Sequence, residues 1–265
     1  MEFPEHDGLV WSATAFDLDD GEVLFAHETG RVLKTASIGK VFLLHTVLEE
    51  ELAGRLSLDE PVTRRPSDWM DDSGLWYLMQ ASTLSIYDLC ALIGAVSDNH
   101  ATNTLVRRVG IEAVQASTEA LGYRDSALHD MIRWPRPPGA PQTLSSGTAA
   151  ELSDFVARLA RKELLTPEAC DMFRRWLGAG MDCSMVPSGF GLDPLAHDFF
   201  DRGLWVWNKT GTMSTVRADI GVVMSPERRV AYAVLANWAP GEDRRDEALA
   251  VMREAGLAIR EHVLA

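Results

Sequence analysis

The stretch Thr35-Ala36-Ser37-Ile38-Gly39-Lys40, followed at once by Val41-Phe42-Leu43-Leu44, decides how the rest of the chain is read. The apolar run predicts a buried helix from about residue 37 to Gly54, where a glycine is a natural stop. Ser37 and Lys40 then lie three apart on its first turn, where such residues share a face. A serine hydroxyl is a weak nucleophile until a base takes its proton. A lysine amine is such a base only when burial and neighbouring charge lower its pKa, and the apolar run supplies the burial. The helix start also offers unpaired N–H groups, which favour negative charge developing on an oxygen.

With 17 serines and 4 lysines in 265 residues, chance supplies about a quarter of one Ser-x-x-Lys pair, so the pair alone decides little. Two further motifs change the balance: Ser97-Asp98-Asn99 and Lys209-Thr210-Gly211. In that order the three resemble the motifs of the class A serine β-lactamases and the related penicillin-binding proteins, and the resemblance runs over nearly the whole chain.

The resemblance implies a bacterial serine hydrolase that forms an acyl-enzyme on Ser37, with Lys40 as general base. Its substrate would be a β-lactam, an ester or a peptide-like amide, with no cofactor and no metal. It makes Ser97 the second proton carrier, passing a proton to the leaving nitrogen or oxygen. Asn99 holds the substrate's amide side chain and contacts Lys40, and Asp98 is read as a tie between helix and loop. Lys209 attracts a substrate carboxylate by its charge and lowers neighbouring pKa values. Thr210 offers that carboxylate a hydroxyl, and Gly211 lets substrate approach the backbone. The backbone N–H groups of Ser37 and Thr212 form the oxyanion hole. Arg217 either adds a second carboxylate contact or is one more surface arginine in a chain rich in them.

One departure stands out. In class A β-lactamases an Arg-Trp-Glu supplies the glutamate that activates the deacylating water. Arg133-Trp134 match here, but Pro135 follows, and no glutamate occurs over residues 124–150. Asp125 and Asp130 are the nearest carboxylates. Slow β-lactam deacylation is expected, and a non-catalytic penicillin-binding or sensor protein is the rival reading. The family's disulfide is also ruled out, because Cys90 matches one end but Leu44 stands at the other.

Composition bounds the rest. A length of 265 residues suffices for one catalytic domain, and 46% hydrophobic with 24% charged residues is globular. A net charge of −14 argues against nucleic acid and anionic membranes as partners. The resemblance implies a small, carboxylate-bearing substrate, and a monomer or homodimer is expected. Three cysteines show no metal-ligand spacing. The first residues lack a basic and an apolar region, and no run reaches transmembrane length. The expectation is a cytoplasmic protein, with a trimmed secreted protein as the alternative.

Strand patterns occupy residues 10–18 and 22–26 around an Asp-Asp-Gly turn, and again 204–210, 216–224 and 229–237. Helical patterns fill most of the interval and close the chain over 242–262. Ser85-Ile86-Tyr87-Asp88 and Thr166-Pro167-Glu168 read as helix starts. Residues 58–69, 125–146 and 181–202 read as irregular. The fold expected is α/β (α+β), a five-stranded antiparallel sheet flanked by helices with an inserted all-helical subdomain. The sheet part is 1–34 with 186–265, and the helical part 35–185. Trp76 and Tyr77 either line the cleft or pack in the core. His100 packs or caps, and His197-Asp198 has no metal partners.

Overall fold

The computed structural model describes residues 1–6, 8–197 and 202–265. Strand β1 (Val10–Asp17) turns into β2 (Val23–His27), the expected opening hairpin. Six helices follow: α1 (Lys40–Leu52), α2 (Ile86–Val96), α3 (Asn99–Val109), α4 (Ile111–Ala120), α5 (Ala149–Ala160) and α6 (Pro167–Gly178). Then come β3 (Trp205–Met213), β4 (Val216–Met224), β5 (Arg229–Asn237) and the closing α7 (Arg245–Leu264). The five strands form one antiparallel sheet in the order β2-β1-β5-β4-β3. The last two strands match the sequence pattern residue for residue, while β3 runs on to Met213.

Alternation along β5 shows why this sheet sits in the middle. Val230, Tyr232, Val234 and Ala236 pack with Ala248, Met252, Ala255 and Ile259 of α7. Ala231, Ala233 and Leu235 belong to the core on the opposite side, where α5 lies against the strand. Successive strand side chains point to opposite faces, so a strand covered on both reads as the continuous run Val230-Ala231-Tyr232-Ala233-Val234-Leu235-Ala236.

The helix starts obey local capping chemistry. Ser85 accepts the Asp88 N–H at 3.1 Å, and Thr166 accepts that of Ala169 at 3.3 Å. Two stretches expected to be irregular contain short pairings: Pro61–Thr63 with Thr83–Ser85, and Ser145–Gly147 with both Leu33–Lys34 and Ala127–Leu128. Pieces this short carry almost no periodic signal, and tertiary context holds them. Cys90, Cys170 and Cys183 are free and buried. Among the described residues no helix is long and apolar enough to cross a membrane, and no group of three or more His, Cys, Asp or Glu could hold a metal ion. Asp198 lies outside the described residues.

Candidate active site

Ser37 stands on a 3-10 turn, Ala36–Gly39, and α1 begins only at Lys40. The turn is tighter than the α-helical start expected from sequence because Ala36, at φ +50, bends the chain immediately before Ser37. A left-handed alanine is unfavourable by about 1–2 kcal/mol, so something must hold it. Ser145 does so, donating its hydroxyl to the Ala36 carbonyl. Gly211 of β3 completes the seat. A Cβ there would lie 2.1 Å from the Thr35 carbonyl oxygen, so glycine is required for the strand to lie against this turn. This close approach, rather than room for substrate, accounts for the Gly211 requirement.

Ser97 caps the end of α2 in the left-handed conformation, at φ +55, and Asp98 caps the start of α3. The Asp98 carboxylate accepts the N–H groups of Ala101 at 2.8 Å, Leu75 at 2.7 Å and Trp76 at 2.8 Å. Asp98 is therefore the tie between helix and rim loop that the sequence suggested. Gly74 permits it, since a Cβ there would fall 2.3 Å from the Asp98 carboxyl carbon.

Both motif lysines converge on Ser97. The Lys40 amine donates to the Ser97 carbonyl at 2.6 Å, to Ser97 Oγ at 3.1 Å and to Asn99 Oδ1 at 2.7 Å. Lys209, on β3, donates to Ser97 Oγ at 2.9 Å and to the Thr210 carbonyl at 2.8 Å. Lys40 is fully buried, and desolvation first, then the charge of Lys209, hold its pKa well below the ordinary lysine value. Burial also lowers Lys209, to about 8, against the opposing pull of Asp182 and Asp219. Among the described residues no hydrogen bond joins Lys40 to the Ser37 hydroxyl. Such bonds are often long in free enzymes and tighten with substrate.

Ser37, Ser97, Asn99, Lys209, Thr210 and Thr212 all line one cavity of 1420 Å³. Arg217 is not among its lining residues. It is 7% exposed, with Nη1 donating to the carbonyls of Met213 at 2.8 Å and Val216 at 2.7 Å, and its guanidinium lies 5.8 Å from the Trp238 ring centroid. It is neither a surface arginine nor a cleft residue; it braces the turn between β3 and β4. Asp130 also stays out of the lining, with its carboxylate 3.3 Å from Arg133 and accepting the Met131 N–H at 2.7 Å. Trp76 is fully buried, and His100 packs between Trp69 and Trp76. The cleft aromatics are Trp69, which no motif marks, and Trp134 of the Arg133-Trp134 pair.

Residues 3–263 match the beta-lactamase enzyme family. This chain belongs to that family. It is a serine hydrolase of the β-lactamase type. A comparison with curated proteins gives no match. Among solved structures it is similar to a β-lactamase from Sphaerobacter thermophilus, at 24% identity over 97% of this chain and 94% of that one, TM-score 0.82. It is equally similar in fold to a class A β-lactamase from Mycobacterium abscessus, at 19% identity over 98% and 95%, TM-score 0.82. A variant of PBP-A, solved as an acyl-enzyme complex with penicillin G, is 21% identical over 96% and 90%, TM-score 0.79.

Proposed function

We propose that this β-lactamase-family chain transfers an acyl group from a carboxylate-bearing β-lactam, ester or peptide-like amide to Ser37. The observation that carries this reading is the Lys40 amine: fully buried, low in pKa, and bonded to Ser97 and Asn99 at the floor of the cleft that Ser37 lines. The lowered pKa favours loss of one Lys40 proton, and the neutral amine so formed has a lone pair to take the Ser37 proton. The Ser97 hydroxyl stands within hydrogen-bond distance of both amines and is the path to the leaving group. Lys209, Thr210 and Thr212 receive the carboxylate, and the N–H groups of Ser37 and Thr212 take the oxyanion.

The acyl group leaves slowly when the substrate is a β-lactam. Residues 124–150 hold no glutamate, and neither Asp125 nor Asp130 lines the cleft. Labelling with a fluorescent penicillin tests the reading. Wild-type protein takes the label and Ser37→Ala does not, with turnover falling by about six decades. Label retained in Ser37→Ala would overturn it.

A further inference from the structure

Asp219 is a fully buried carboxyl that the acyl-transfer chemistry does not use. It stands on β4 opposite Thr210 of β3, beside the pair Lys209 and Ile220. A carboxyl so deep needs partners, and aspartate is almost never fully buried without them. Its partners are all donors. Asn208 Nδ2 lies 3.0 Å and the Tyr232 hydroxyl 3.4 Å from Oδ1, and the Val186 N–H donates to Oδ2 at 3.1 Å. The sheet leaves room for this cluster at Gly221, which pairs with Asn208 on one side and Tyr232 on the other. A Cβ there would fall 2.8 Å from the Asn208 Cβ and 2.9 Å from the Tyr232 hydroxyl, so glycine lets both side chains reach Asp219.

The three donors belong to three segments, and two of these form walls of the cleft. Asn208 lines it and is joined directly to Lys209. Val186 opens the 3-10 turn Val186–Gly189, shortly after the cleft residues Met181 and Asp182. Asn208 Nδ2 also lies 3.4 Å from the Asp182 carbonyl, so the two walls meet at this one amide. The turn is pressed against α7, where a Cβ on Gly256 would fall 2.0 Å from the Val186 carbonyl oxygen. Lys209 itself is buried and donates to Ser97 Oγ and the Thr210 carbonyl, neither of them a charged group. The carboxylates whose charge acts on it are Asp182 and then Asp219. Asp182 is exposed, where solvent screens it, and Asp219 is not.

We infer that Asp219, which does not line the cleft, is a positioning residue for Lys209, holding Asn208 and Val186 so that the amine stands where a substrate carboxylate arrives. This rests on the reading that Lys209 receives that carboxylate. Without Asp219, Asn208 Nδ2 and the Val186 N–H become buried donors lacking this acceptor. Such groups are costly, and strand and turn would shift to satisfy them. Either shift moves the backbone that carries Lys209.

The phenyl and 3-carboxyphenyl esters of N-acetylglycine test this, since they share one acyl group and differ by a carboxylate on the leaving phenol. Wild type should favour the charged ester through KM, and Lys209→Met should erase that preference. Asp219→Asn keeps the shape but puts an NH2 where one acceptor oxygen stood. It should raise KM for the charged ester about tenfold, with kcat little changed and KM for the neutral ester in place. Added to Lys209→Met, it should change neither KM further, because residues that act through one contact are not additive. Circular dichroism checks the fold, and Asn208→Ala should reproduce the KM effect if Asp219→Asn does not fold. Equal losses on both esters, wild-type behaviour of the folded variant, or a full additional loss in the double variant would overturn the inference. Wild type that turns over neither ester, or shows no preference between them, would overturn carboxylate recognition at Lys209 itself, and this inference with it.

Discussion

Ser145 Oγ lies 2.8 Å from Thr35 Oγ1 and donates its proton to the Ala36 carbonyl, so a residue 110 positions downstream of Thr35 holds the left-handed turn that presents Ser37. Since the only hydroxyl proton of Ser145 goes to Ala36, Thr35 donates to Ser145. The Ser145 carbonyl accepts the Thr35 N–H at 3.2 Å, closing the clamp. Backbone held in such unfavourable conformations concentrates at functional sites.

Ser145→Ala should therefore lower the limiting rate of Ser37 acylation about tenfold or more, with the half-saturating probe concentration unchanged. Loss of the two side-chain hydrogen bonds should also destabilise the fold by about 1–3 kcal/mol. Stopped-flow labelling and chemical denaturation measure the two effects. A destabilised variant that still acylates at the wild-type rate would show that the clamp serves folding alone.

Lys209 makes carboxylate recognition depend on pH. Its pKa is lowered to about 8, so it is charged below that value and neutral above it. The KM for an anionic substrate should rise as pH passes through about 8, while a neutral ester shows no such rise. Lys209→Met should abolish the difference between the two. An equal loss on both substrates would place Lys209 in the chemical step.

The same shift has a sign for stability. The unfolded chain holds a proton on Lys209 up to about its ordinary 10.5, whereas the folded protein releases it near 8. The unfolded state thus binds more protons between these values, and stability rises with pH across that window. The cost of the buried charge is fully present below 8 and gone above 10.5. Lys209→Met should be more stable than wild type at pH 7, with the gain shrinking from pH 8 to 10.5. Denaturant midpoints at several pH values check this; a gain independent of pH would refute it.

Arg217 should act through the β3–β4 turn. With its Nη1 committed to the Met213 and Val216 carbonyls, its removal loosens the residues that carry Thr212 and Ser214. Arg217→Ala should reduce acylation by neutral and anionic substrates alike. A loss confined to anionic substrates would restore a direct carboxylate contact.

What the sequence made legible follows from range. Ser37, Lys40, Ser97, Asn99 and Lys209 meet in one cleft region because each motif fixes its own backbone locally, at a helix start, a helix junction and a strand. The helix caps at Ser85 and Thr166 were readable for the same reason. Contacts made only by the completed fold were not readable. Ser145 belongs to no motif, and its partner lies 110 residues away. Gly211 looked like a site residue, but its reason is the Thr35 carbonyl packed against it. Arg217 resembled its many exposed counterparts until the turn it braces was seen. Trp69 looks like any other tryptophan until it is found lining the cleft.

Release of the acyl group is the step this cleft is least equipped for. On the proposed reading, acylation draws on Ser37, Lys40, Ser97 and two N–H groups, and Ser37 and Ser97 line the cleft. Deacylation of a β-lactam needs a positioned water and a base. The carboxylates that line the cleft are Asp71, Asp72 and Asp182, none from residues 124–150. Loss of a general base costs about 10²–10⁴ in rate. From a typical turnover of roughly 10 s⁻¹, release falls to between about ten seconds and a quarter of an hour per event. Benzylpenicillin should accordingly leave a covalent adduct on Ser37, visible by intact-protein mass spectrometry and decaying on that timescale. Asp130→Asn should leave the decay unchanged, because that carboxylate is engaged by Arg133 and the Met131 N–H and does not face the cleft. Slower decay in Asp130→Asn would mean that the loop swings Asp130 inward after acylation. Hydrolysis at tens per second with no adduct detectable would refute slow release outright and require a base elsewhere in the cleft, with Asp72, whose charge already acts on Lys40, the first to replace.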